Sequence, residues 1–135
     1  MIYRKILVPM ALDHGLSPQT LKVAQALLSE GGEIVAIHVY ETPQGSVSAY
    51  LDKDVVEAGF KAAEKTLSQK VSGLENVTPV LVKGHSARTI VDYSNENDVD
   101  CIVIGAGDPA LSDYFFGSTA SWVARHATCA VHIQR

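Results

Sequence analysis

The stretch "DCIVIGAGDPALSDYFFGSTASWVARH", Asp100 to His126, decides how the rest of the chain is read. It opens with an apolar run, Cys101 to Ile104, of the kind found in strands whose two faces are both covered. Glycines follow at positions 105 and 107, where the backbone can turn tightly or lie close to another molecule. A polar and aromatic connection then reaches Gly117-Ser118, where a helix begins and runs to about His126. Strand, loop and helix in this order are one piece of a βαβ unit, and the same alternation recurs outward in both directions.

Toward the N-terminus, "YRKILVPM" (Tyr3 to Met10) is a second strand with an apolar centre. Ser17-Pro18 then starts a helix whose face carries Leu21, Ala24, Leu27 and Leu28, with Gly31-Gly32 as its stop. "EIVAIHVY" (Glu33 to Tyr40) is a strand, residues 42–50 form a polar loop, and a long helix from about Asp52 to Ser72 carries Val56, Phe60, Ala63, Leu67 and Val71. "VTPVLVK" (Val77 to Lys83) is a strand in which Pro79 removes a ladder donor, which places it at a sheet edge. Ser86 caps a helix to about Asn97 with Ile90 and Val91 inward. Toward the C-terminus, "CAVHIQR" is a short last strand. Five parallel strands and four helices result. Right-handed crossovers with strands one and four central give the order 3-2-1-4-5, half of a doubly wound α/β sheet. The gap between the carboxyl ends of strands one and four is the topological switch point where such sheets bind ligands.

Length and composition agree with one domain over residues 1–135. The chain is 47% hydrophobic and 19% charged, within the ordinary globular range. Its net charge of −4 offers no electrostatic attraction to nucleic acid or an anionic membrane. No run approaches the ~18 apolar residues of a membrane span, and no secretory signal pattern opens the chain. Two cysteines do not read as a disulfide framework, so a reducing cytoplasm is the expected setting and Cys101 is expected in the core.

At the switch point, Gly105, Gly107, Gly117, Ser118 and Thr119 suit a phosphate. Small residues admit the ligand, and the first amides of a helix attract anions. Spacing alone leaves a second reading open, in which Gly105 only turns the chain and Ser118 only caps the helix. The connection from residue 106 to 116 exceeds the usual ~2 to 6 residues, which favours a ligand.

Other chemistries find less support. "GAGDPA" fits G-x-G-x-x-A, but Pro109 and a loop follow where a helix should, and Arg125 stands where an acid should. No P-loop lysine motif is present, so rapid phosphoryl transfer is not expected. The five histidines lack zinc spacing, and Ser118 has no triad partner pattern. His38 reads as a packed or hydrogen-bonded strand residue. His14 and His85 flank the switch-point loops, where a phosphate contact is open to them. Tyr114, Phe115, Phe116 and Trp122 read first as cover for the end of the core.

"RKILVPM", "IHVY", "DCIVIGAG" and "FFGSTASWVARHATCAVHIQ", with their spacing, resemble the universal stress protein family over the whole chain. The resemblance implies an adenine nucleotide alpha hydrolase-like fold and, for the ATP-binding branch with its G-x2-G-x9-G-[ST] pattern, a role as a regulatory or sensor protein. Gly105 matches the first glycine and Gly117-Ser118 the last pair. Asp108 stands at the second glycine, the interval is one residue short, and Ala11 replaces the usual aspartate, with Asp13 the nearest acid. The resemblance implies that the backbone around Pro9 and Met10 and at Val39 holds the adenine, with Asp13 reaching the place of the missing aspartate through a longer loop. Gly105, Ala106 and Gly107 would then lie against the ribose, Asp108 would accept from its hydroxyls, and Gly117, Ser118 and Thr119 would hold the phosphates with any magnesium. It also implies a homodimer through the last strand, at Val131 and Ile133, and a regulated partner such as a membrane transporter. A slow ATP hydrolase and a non-nucleotide interaction module are the alternatives.

Overall fold

The computed structural model describes residues 2–12, 18–41, 53–106 and 117–135, in which strands and helices alternate throughout. They are β1 (Tyr3–Pro9), α1 (Pro18–Leu27), β2 (Leu28–Tyr40), α2 (Lys53–Val71), β3 (Val77–Lys83), α3 (Ser86–Glu96), β4 (Cys101–Gly105), α4 (Ser118–His126) and β5 (Ala130–Gln134). The strands form one sheet in the order β3-β2-β1-β4-β5, every pair parallel, as the sequence implied. Pro79 of β3 lies opposite Ala36 at the sheet edge, where a missing N–H leaves no neighbour unpaired.

The direction of winding reverses between β3 and β4, and this places the helices on both faces. On one face Ile6, Val8, Ile34, Ala36 and Val103 pack with Leu21 and Ala24 of α1 and Leu67 and Val71 of α2. On the other, Leu7, Val35, Ile37, Ile102 and Ile104 pack with Ile90 and Val91 of α3 and Ala120 and Val123 of α4. Consecutive residues of β1 therefore enter different cores, which is why its centre is apolar without alternation. Each fully buried branched side chain contributes about 1.5 to 3 kcal/mol relative to an exposed one.

Cys101 joins the first core and Cys129 packs against the second, so the sheet separates the two free thiols. Burial, reinforced by Cys129, pushes the Cys101 thiol up to about 11, and burial raises that of Cys129 too. Both are poor nucleophiles at neutral pH.

Two local expectations are corrected. Helix α1 ends at Leu27, and Leu28 already belongs to β2 as the partner of Tyr3. The register shifts between Tyr3 and Lys5, and Ser29 Oγ donates to the Tyr3 carbonyl at 2.9 Å. Gly31-Gly32 therefore shape a strand irregularity, not a helix stop: Gly31 has φ +78°, and a Cβ on Gly32 would lie 2.8 Å from the Arg4 carbonyl oxygen. At α3, His85 is the N-cap and makes no side-chain cap bond, while Ser86 is the first helical residue. The Ser86 N–H donates instead to Glu41 Oε1 at 2.7 Å.

Candidate functional site at the carboxyl edge of the sheet

Strands β1 and β4 pair through Ile6 with Cys101 and Leu7 with Ile102. The helix that follows β1 packs on one face and the helix that follows β4 on the other. The switch point lies between the carboxyl ends of these two strands, with Pro9, Met10, Gly105 and Ala106 at its sides.

On the β1 side, Met10 is buried and its peptide groups are held from β2. Its N–H donates to the Ile37 carbonyl at 2.8 Å, and its carbonyl lies 2.7 Å from His38 Nδ1. Val39, one residue farther along β2, is buried against the α3/α4 face and pairs with Val82.

On the β4 side, Ala106 N–H donates to the Gln134 carbonyl at 2.8 Å, extending the ladder one residue past Gly105. The Gly117 N–H donates to the Ala106 carbonyl, and this bond seats the start of α4 against the end of β4. Gly117 is the N-cap, with φ −58° and ψ 157° and no side-chain cap bond; its carbonyl accepts from Ser121 N–H at 3.0 Å. Helix geometry then leaves the N–H groups of Ser118, Thr119 and Ala120 without intrahelical acceptors. No acid lies in this first turn, while Arg125 and His126 occupy the last one. The positive pole of the helix therefore meets no carboxylate of its own first turn and is suited to an anion.

Gly105 ends β4 one residue after Ile104 of the α3/α4 core, so alternation turns its Cα substituent toward the α1/α2 face. Its φ is not positive, and among the described residues a Cβ there would meet nothing within 4 Å. Neither backbone strain nor packing against a described residue demands glycine at this position. Uncapped amides at the start of α4, tied to the end of β4 through Gly117 and Ala106, fit a phosphate-bearing ligand.

The sequence-derived residues Pro9, Met10, Val39, Gly105, Ala106, Gly117, Ser118 and Thr119 thus all lie at one edge of the sheet. Asp13, Gly107, Asp108, His14 and the aromatic run 114–116 fall outside the described residues. Trp122 is half-buried against the α3/α4 core, its ring stacked on His126 at 3.8 Å between centroids. His85 is exposed at the α3 N-cap. Sequence reasoning did not foresee the grip of His38 on Met10; the signal was a polar ring within an otherwise apolar strand. Among the described residues, no group of three or more His, Cys, Asp or Glu is arranged to hold a metal ion. Nor is any described helix long and apolar enough to cross a membrane. Depressions of about 200 Å³, beside Tyr3, Cys101 and His132, and about 350 Å³, beside Ser29 and Glu75, lie away from the carboxyl edge.

Among the described residues, strand β5 forms the free margin beyond β4. The bonds from Ala130 N–H to Asp100 and from Ala106 N–H to Gln134 turn the even-numbered peptides of β5 toward β4. Alternation then directs the main-chain groups of Val131 and Ile133 outward, while their side chains pack against the α3/α4 face.

Comparison with known proteins accords with this architecture. Residues 2–135 match the model of the Universal stress protein family. Universal stress protein G of Salmonella typhimurium is 31% identical over 145 residues, covering 99% of this chain and all of that one. The solved universal stress protein UspA from Lactobacillus plantarum superposes with a TM-score of 0.77 at 23% identity, over 98% of both chains. Two more distant structures carry ligands: the universal stress protein from Archaeoglobus fulgidus in complex with dAMP (TM-score 0.60, 23% identity, all of both chains) and a universal stress protein in complex with cAMP (TM-score 0.62, 17% identity, 98% of this chain and 97% of that one). With a match that runs nearly end to end, this chain belongs to the universal stress protein family.

Proposed function

We propose that the chain binds ATP at the carboxyl edge of its sheet and acts as a regulatory protein whose nucleotide state alters a partner, such as a membrane transporter. The carrying observation is the start of α4, where the glycine N-cap offers no side-chain cap to the first amides and the Gly117–Ala106 bond sets them at the end of β4. In this reading the amides and hydroxyls of Ser118 and Thr119, with Gly117, receive the phosphates and any magnesium they hold. Gly105, Ala106 and Gly107 lie against the ribose, with Asp108 as acceptor for its hydroxyls, and Pro9, Met10, Val39 and Asp13 surround the adenine. The dAMP and cAMP complexes of structurally similar proteins support an adenine nucleotide.

Mass spectrometry of what the purified protein releases on denaturation, with calorimetric titration of ATP and Mg²⁺, tests the proposal. Released adenine nucleotide, or saturable binding, is expected; absence of both defeats the reading in favour of a bare interaction module. Phosphate release under turnover conditions separates a sensor from a slow hydrolase, and a negligible rate is expected for a sensor.

We further propose a homodimer formed by pairing of β5 margins, since outward groups at Val131 and Ile133 present an unpaired ladder. Ile133→Pro removes one outward donor at a position an edge strand tolerates. Sedimentation should then show monomers, and a variant that stayed dimeric would refute the pairing.

A further inference from the structure

We infer that His38 is a positioning residue of this nucleotide site, acting through the Met10 peptide. The inference rests on the ATP-binding reading above. The 2.7 Å contact joins His38 Nδ1 to a carbonyl oxygen, which can only accept. The proton in the bond therefore belongs to Nδ1, and in the neutral ring Nε2 is left as an acceptor. Ile37 accepts from Met10 N–H at 2.8 Å, so two consecutive residues of β2 hold the two peptides that flank the Met10 Cα, one through its N–H and one through its carbonyl.

The grip falls where β1 has ended at Pro9 and ordinary ladder pairing, Pro9 with Ile37, has run out. A side chain here takes over the ladder's task for one further residue. Met10 is buried in the α1/α2 core and Leu12 packs against the same cluster, so the orientation of the Met10–Ala11 peptide sets how the chain leaves Met10 toward Leu12. The connection to α1 that follows carries Asp13. Without the Nδ1 bond, the Met10 carbonyl in this half-buried place would be freed to rotate, and residues 11–12 would lose their fixed departure angle.

Side-chain isosteres test this. The carboxamide nitrogen of Asn reaches the place of Nδ1, whereas that of Gln reaches the place of Nε2. Calorimetric titration with ATP is expected to give His38→Asn an affinity within about threefold of wild type and to weaken His38→Gln by about tenfold, the loss of one hydrogen bond. Nitrogen NMR of the ring should show the neutral form protonated on Nδ1. Equal affinities for the Asn and Gln variants, or a neutral ring protonated on Nε2, would overturn the inference. A wild-type protein that bound no adenine nucleotide would instead defeat the ATP-binding reading. The grip itself would then be decided by amide exchange at Ala11 and Leu12: faster in His38→Gln and not in His38→Asn supports it, and no difference overturns it.

Discussion

Helices α3 and α4 both begin at the carboxyl edge of the sheet and both lack an acid in the first turn. At α3 the Glu41 carboxylate, carried just past the end of β2, accepts from the Ser86 N–H. At α4 the N-cap is glycine and makes no side-chain bond. One helix has received its anion from elsewhere in the chain. Among the described residues, the other has not. A helix start in an α/β sheet is thus not a binding site by virtue of its dipole alone; it becomes a candidate when the protein leaves it without an internal acceptor.

The sharpest way to break this contrast is to give α4 a carboxylate too. The φ and ψ of Gly117 are open to any residue, and Asp is a favoured N-cap, so Gly117→Asp should fold with an unchanged or higher melting temperature. Its carboxylate would compete for the first-turn amides and repel phosphate, an interaction of about 4 kcal/mol at 4 Å near a protein surface. ATP affinity should fall about 100-fold or more in calorimetric titration; undiminished affinity would show that phosphate does not sit there. Next in size is Gly105→Val, which places a branched side chain at the carboxyl end of β4, where no described residue lies within 4 Å of its Cβ. Affinity should drop about tenfold, as one displaced contact costs, while the melting temperature stays within a few degrees. The smallest effect concerns the other helix: Glu41→Ala should lower stability by about 0.5 to 2 kcal/mol in urea unfolding and leave ATP affinity as it was. An affinity change in that variant would mean that the two helix starts are coupled, not separate.

The elements that could be read from the chain are those governed by short-range pattern. The apolar runs at Ile6 to Val8 and Cys101 to Ile104 required cover on both faces, and Pro79 pointed to an edge, so the strand order followed from connection rules. The start of α4 was equally legible because Gly117-Ser118 is a local signal. What escaped depended on partners distant in sequence. Leu28 fits the apolar face of α1, yet it pairs with Tyr3 and begins β2. Ser86 carries the composition of a cap, but the acceptor for its amide is Glu41, 45 positions earlier. His38 could be recognised as needing a hydrogen bond, though nothing in the strand named Met10 as its acceptor.

The bond between Gly117 and Ala106 also bears on how this family varies. It anchors the two ends of residues 107–116 to each other, so an inserted or deleted residue in between need not shift β4 or α4. The entropic toll of spanning fixed ends rises only with the logarithm of length, about 0.6 kcal/mol for a doubling. A spacing one residue short of the family pattern, with aspartate in place of its middle glycine, is thus a change the framework can absorb. Length and composition can drift here while the architecture stays put.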